Sequence, residues 1–196
     1  MVDGVRAQQR ERSRRRLVDE GARLFAAHGY AAVGLAEIAR AAGVTKGALY
    51  HHFDSKADLF RAVLERVQQE VAGQVAAAAE AEPDPWSQLT AGCRAFLEAS
   101  TAAEVQQVML VDGPAVLGWA QWRAIDEVTS GRLLAEALTA LVDAGIVVPQ
   151  PVEPLTRLLS GAMNEAALWL ARSPDPQRDL DDTWAALARL LAALRA

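Results

Sequence analysis

Residues 35–60 of this 196-residue chain read LAEIARAAGVTKGALYHHFDSKADLF, and few folds accept that order. Leu35, Ile38, Ala39 and Ala42 recur at i, i+3, i+4 and i+7, the apolar stripe of one short helix. Gly43 follows where a left-handed residue ends a helix and lets the chain turn sharply. Val44 can plug the angle between that helix and the next. Thr45 stands at an N-cap position, its hydroxyl placed to accept a hydrogen bond from a free backbone N–H. In the second helix Ala48, Leu49 and Phe53 form the inward side. Gly47 and Ala48 are small enough for close approach to a neighbour or a sugar–phosphate backbone. The other side carries Lys46, Tyr50, His51 and His52. Two short helices joined by a glycine-bearing turn, the second with an unfilled polar face, predict a helix-turn-helix whose second helix enters a DNA major groove.

Ser55 and Asp58 have the spacing of a capping box, with Asp in place of the usual Glu or Gln. A new helix therefore starts near Lys56. Its N-terminus and Lys56 itself would suit a DNA phosphate.

With these residues the chain resembles the TetR/AcrR family of bacterial transcriptional regulators. The matching residues are Gly29-Tyr30, Leu35 to Ala39, Ala42 to Phe53, and Ser55 to Leu59, all within roughly the first 60 positions. One feature departs from the family pattern. Val33-Gly34 stands where the family usually has a Thr or Ser that caps the first helix of the motif and touches a phosphate. Gly34 can still serve as the N-cap at a cost of only a few tenths of a kcal/mol, so weaker or rearranged phosphate contacts are expected, with DNA binding retained.

The net charge of −5 becomes informative once it is divided along the chain. Residues 1–66 carry 12 Lys and Arg against 8 Asp and Glu, a balance of +4; residues 67–196 carry 8 against 17, a balance of −9. A basic N-terminal module on an acidic body suits attraction to phosphate at one end. Five arginines, Arg10, Arg12, Arg14, Arg15 and Arg16, precede the motif. They read either as a solvated helix end or as phosphate contacts, and the family's residues ahead of helix one can also reach a minor groove.

The composition is rich in Ala, Leu, Glu and Arg, and no alternating β-type run occurs. The expected fold is all-α with about nine helices: an N-terminal helix-turn-helix DNA-binding domain over residues 1–55, and a helical ligand-binding and dimerisation domain over residues 56–196. Residues 1–8 read as a disordered tip. The helix after the arginines lines one face with Leu17, Gly21, Leu24, Phe25 and His28, the last as a core or capping residue. A long helix runs from Lys56 to about Ala81 and stops at Glu82-Pro83-Asp84-Pro85. Trp86–Thr101 is the next. Asp112-Gly113-Pro114 breaks the one that follows, and a helix from Trp119 runs to about Ala144, where Gly145 ends it. Leu155–Arg172 and Leu180–Leu194 close the chain.

The resemblance implies that the second domain binds a small-molecule effector and forms a homodimer. The last two helices offer broad apolar faces, among them Leu155, Leu158, Leu159, Ala162, Met163, Leu187, Leu190 and Leu191. These can fill one core, or a core and a partner's matching pair. Four of the five tryptophans follow residue 100. Phe96, Met109, Trp119, Trp122, Asn164 and Trp169 are candidate cavity walls, although aromatics at helical spacing also build plain core. Asn164 can orient a ligand, bond a neighbouring helix or reach across a dimer. The apolar lining points to a hydrophobic or aromatic ligand.

An enzyme is the competing class. His51 and His52 are adjacent, so on a helix their rings point about 100° apart and cannot share one metal. The second domain has no histidine, the commonest general base. No catalytic constellation, metal site or cofactor is expected. A single cysteine, Cys93, excludes an intramolecular disulfide; it reads as a buried structural thiol or a redox sensor. No apolar run approaches the roughly 20 residues that cross a bilayer, so a soluble cytoplasmic protein is expected. The expected DNA contacts are Arg14, Arg15, Thr45, Lys46, Gly47, Tyr50, His51 and Lys56, made by a dimer on a double-stranded palindromic operator and released by effector. The alternative is a helical small-molecule-binding protein without sequence-specific DNA binding.

Overall fold

The computed structural model describes residues 2–196. It is helical from end to end of the described chain: α1 (Val2–Ala32), α2 (Leu35–Ala41), α3 (Lys46–Tyr50), α4 (Lys56–Glu80), α5 (Pro85–Thr101), α6 (Ala103–Gln106), a π-helical turn (Gln107–Asp112), α7 (Gly113–Leu117), α8 (Trp119–Glu127), α9 (Ser130–Asp143), α10 (Val152–Leu170) and α11 (Pro176–Ala192). Helices α1 to α3 form a head. The rest packs as a bundle in which α4 lies against α1, α5 and α9, and α10 lies against α5 and α9.

The local signals of the head work as the sequence predicts. Gly43 has φ of 65° and turns the chain between α2 and α3. Thr45 Oγ1 accepts the Ala48 N–H at 3.1 Å. Ser55 Oγ accepts the Asp58 N–H at 3.0 Å, and Asp58 returns a bond to the Asp54 N–H at 3.1 Å. Gly34 caps α2 through its backbone alone, with no side-chain bond to spare. Leu17, Phe25, Ile38, Leu49 and Phe53 are buried together beneath the motif.

Several boundaries differ from expectation. Helix α1 runs back through the expected disordered tip to Val2; Met1 lies outside the described residues. The helix formers Arg6, Ala7, Gln8 and Gln9 lead into it, and further along the exposed Glu11–Arg15 pair supports the helix at i,i+4. His28 is exposed, neither core nor cap. Asp112-Gly113-Pro114 does not form a loop. Asp112 and Gly113 keep helical torsions and Pro114 sits in the first turn of α7, where its missing N–H costs nothing. The break comes at Gly118, with φ of 79°.

The helix expected over 119–144 is cut at Thr129. Its hydroxyl donates to Gln68 Oε1 at 2.8 Å and lies 2.9 Å from the Ile125 carbonyl, a back-bonded serine/threonine contact that competes with the continuing ladder.

Candidate nucleic-acid interface and ligand cavity

The recognition helix is sharply two-sided. Leu49 is fully buried, while the next residue, Tyr50, is 48% exposed. Thr45, Lys46, Gly47 and His51 are exposed with it. Lys46 Nζ lies 5.9 Å from the Tyr50 ring centroid, so charge and ring present together. His52 is half-buried. Burial, reinforced by Arg10 and Arg14 nearby, holds its imidazole below the ordinary histidine value.

Beside α3 the N-terminal helix forms a basic rim. Arg10 Nη2 lies 3.4 Å from the His51 carbonyl oxygen and, with Arg6 and Gln9, borders an open groove against Ala48 and His51. Arg14 stacks its guanidinium 5.4 Å from the Phe53 ring centroid. Arg15 is exposed and paired with Glu11 at 3.2 Å, a contact worth little in water. The structure thus leaves Arg14 on α1 and Thr45, Lys46, Gly47, Tyr50 and His51 in and around α3 all exposed, and adds Arg10 beside His51. A helix-period count from Leu17 back toward the N-terminus would have found Arg10 and Arg14 on one face.

Lys56 is placed differently. Its ammonium lies 4.1 Å from the Tyr30 ring centroid, where burial lowers its pKa and Asp112 opposes that shift. This is the joint between head and body. At Gly29 the backbone leaves helical torsions, with φ of 75° and ψ of 158°, which frees the Tyr30 N–H from its helical partner. Asp112 Oδ2, at the end of the π-helical turn, accepts it at 2.7 Å. The Tyr30 ring packs edge-on against Phe60 at 5.1 Å, tying α1 to α4. Sequence reading took Asp112 only as a helix breaker.

In the body, a cavity of about 110 Å³ lies between α4, α5, α9 and α10. Its wall is apolar over Val75, Leu89, Cys93, Phe96, Leu134 and Met163, and carries polar groups at Gln88, Asp126, Ser130 and Ser160. Arg123 Nη1 donates to Asp126 Oδ2 at 3.0 Å and to Ser160 Oγ at 2.9 Å. Ser160 Oγ donates to the same Oδ2 at 3.2 Å. Burial raises the Asp126 pKa, against the pull of Arg123 and the Ser160 bond. Burial also pushes the Cys93 thiol up to about 12, which keeps it protonated and unreactive.

A second cleft of about 300 Å³ is bordered by Arg123 on α8 and Asn164 on α10. The sequence-predicted wall residues therefore separate. Phe96 lines the first cavity. Trp119, Trp122 and Asn164 line the second cleft. Met109 is buried and accepts the Trp122 indole N–H through its carbonyl at 2.7 Å. Trp169 borders neither and is half exposed. Asn164 bonds Ser160 at 3.4 Å, and its Oδ1 is buried with no partner among the described residues. Arg123, Asp126 and Ser160 were missed. The i,i+4 pair Ser160 and Asn164, two polar residues on an otherwise apolar helix face, was the available signal.

Among the described residues no helix is long and apolar enough to cross a membrane, and no cluster of His, Cys, Asp or Glu has the makings of a metal site.

A helix-turn-helix head with an exposed outer face on α3, carried on a helical body with an apolar cavity, is the architecture of the helical class of transcriptional regulators. The comparisons agree. Residues 17–63 match the model described as bacterial regulatory proteins, tetR family, and residues 86–194 match the tetracyclin repressor-like C-terminal domain. The chain belongs to the TetR family of bacterial transcriptional regulators. A TetR-family transcriptional regulator from Pectobacterium atrosepticum has a solved structure that is 32% identical, with a TM-score of 0.80 over 96% of this chain and 97% of that one. RolR, solved in complex with the ligand resorcinol, shares the fold at 21% identity and a TM-score of 0.73, over 94% of this chain and 89% of RolR. The regulator AcrR of Shigella flexneri is 45% identical over 58 residues, 30% of this chain and only 27% of AcrR's own length.

Proposed function

We propose that the chain is a ligand-responsive repressor that binds a palindromic operator as a homodimer and leaves it when a small apolar effector fills the cavity. The head comprises residues 1–55 and the body residues 56–196. The observation that carries the reading is the two-sidedness of α3 at Leu49 and Tyr50. A helix used only for packing would bury its aromatic and expose small polar residues. Tyr50, His51, Thr45 and Gly47 then meet phosphates or thymine methyls, Lys46 a phosphate or guanine, and Arg10, Arg14 and Arg15 phosphates. Lys56 joins them only by leaving the Tyr30 ring.

The dimer forms through α10 and α11. Leu158, Ala162 and Trp169 share one exposed face of α10, and Leu190 is exposed on α11. Leu155, Leu159, Met163, Leu187 and Leu191 face the protomer's own core. A twofold pairing of the exposed faces covers them and sets two reading heads side by side.

Coupling runs through α4. Val75 and Ala76 near its C-terminal end line the cavity, and Lys56 at its first residue sits on Tyr30. A 25-residue helix spans about 37 Å, so a small displacement at the cavity swings the head. The coupling is of the order of 1–3 kcal/mol. The alternative, a binding protein with no sequence-specific DNA partner, leaves the basic rim and the Tyr50 face without a use. A mobility-shift titration against DNA flanking the gene, at two salt concentrations with a scrambled control, tests the reading. It predicts tight, salt-dependent binding to one palindromic segment. Equal weak binding to every DNA, including sites selected from a random pool, would refute it.

A further inference from the structure

The cavity wall is mostly apolar; its polar residues are Gln88, whose Nε2 already donates to the Glu82 carbonyl, and Asp126, Ser130 and Ser160, and the carboxylate among them fixes the chemistry of the occupant. This inference rests on the effector reading of the cavity and adds the ligand class. Asp126 Oδ2 is committed to two donors, Arg123 Nη1 at 3.0 Å and Ser160 Oγ at 3.2 Å. Its other oxygen, Oδ1, makes no hydrogen bond among the described residues, and Asp126 lines the cavity. A carboxylate oxygen is an acceptor only. The polar end of the cavity therefore asks for a donor. It does not ask for a charge, because Arg123 already balances Asp126. A ligand ammonium would meet that guanidinium, and a ligand carboxylate would meet the Asp126 oxygen. Size sets the rest. About 110 Å³ is below the roughly 150 Å³ of an engineered cavity known to hold benzene, so one ring is the natural scale once side chains give slightly. Cys93 on the wall is a protonated thiol and offers no covalent capture.

We propose that the effector is an uncharged, single-ring apolar molecule carrying a hydroxyl, which donates its proton to Asp126 Oδ1 with the ring against Leu89, Phe96, Leu134 and Met163. A phenol meets this description at neutral pH, since its pKa is near 10.

The test is calorimetric titration of the full-length protein with phenol, toluene, benzonitrile, benzylamine and benzoate. Phenol and toluene differ only by OH for CH₃. The wild type should bind phenol about tenfold or more tighter than toluene or benzonitrile, the scale of a buried bond to a charged acceptor. The Asp126→Asn variant sharpens the test. Arg123 and Ser160 donate at the Oδ2 position, so the amide oxygen must take that place and Nδ2, a donor, takes the place of Oδ1. The phenol preference should turn toward benzonitrile, an acceptor without a donor, by about tenfold, while toluene still binds and reports an intact cavity. If the variant loses toluene as well, the wild-type ranking alone decides. Equal binding of phenol and toluene, a stronger benzylamine or benzoate, or no binding at millimolar concentration overturns the proposal. DNA release is measured alongside. Phenol that binds without releasing DNA leaves the ligand class standing and removes the effector role; release by a different class of compound does the reverse.

Discussion

Replacing Asp112 should loosen the head from the body without touching either the reading face or the cavity. The Tyr30 N–H has no helical acceptor because the backbone turns out of the helix at Gly29, and it donates to Asp112 Oδ2 at 2.7 Å. A bond to an ionised acceptor contributes about 1.5–3 kcal/mol net when buried. This one is only part-buried, so water recovers some of the loss, and about 1–2 kcal/mol is the expected effect of Asp112→Ala. At 1.4 kcal/mol per tenfold, the Tyr30 amide should exchange about 5–30 times faster with solvent deuterium. A protein of this size should also melt roughly 2–8 °C lower. Asp112→Asn keeps an acceptor and loses the charge, so it should fall between. The assay is amide exchange read by NMR or by mass spectrometry on peptides spanning Tyr30. An Asp112→Ala protein with unchanged exchange at Tyr30 and an unchanged melting temperature would refute the reasoning.

Other outcomes follow from the same geometry. Cys93 should resist alkylation at pH 8 in the native protein and react only as the chain unfolds, because its pKa is pushed up to about 12; rapid native labelling with iodoacetamide would contradict this. Leu158→Glu together with Leu190→Glu should yield a folded monomer, since both residues are exposed in the protomer and each buried charge would enter a twofold interface twice, weakening it on the order of a hundredfold or more; sedimentation velocity would show it. His52 has a depressed pKa in the folded state, so the native protein binds fewer protons than the unfolded chain just below the ordinary histidine value. Stability should fall as pH drops through that window, and His52→Gln should flatten this part of a urea-midpoint profile taken between pH 7 and 5.

The head was legible in the sequence because its signals are local. A glycine with positive φ, a threonine N-cap and a serine capping box each act within four residues, and each is found where expected. The body was legible in outline, since prolines and glycines bound α4, α5 and α10, and the C-terminal end of α9, close to the expected positions. Its middle was not. The π-helical turn at 107–112 and the cut at Thr129 depend on partners far along the chain, Tyr30 and Gln68, which no window of residues contains. The tryptophans misled for a related reason. Trp119 and Trp122 share helical spacing, yet Trp122 is buried against the Met109 carbonyl and Trp119 stands at the surface. The cavity's own chemistry came from Asp126 and Ser160, which only tertiary packing brings together.

The central claim is that the outer face of α3 reads DNA. Its most direct test is the affinity of wild type, Tyr50→Ala and Leu49→Ala for a palindromic site selected from random DNA, with urea unfolding of each. The account predicts that Tyr50→Ala loses about tenfold in affinity, on the scale of one contact of about 1.4 kcal/mol, with stability within about 0.5 kcal/mol of wild type. Leu49→Ala should instead lose about 2–5 kcal/mol of stability in the head, the cost of a cavity at a fully buried leucine. Undiminished operator affinity for Tyr50→Ala would contradict it.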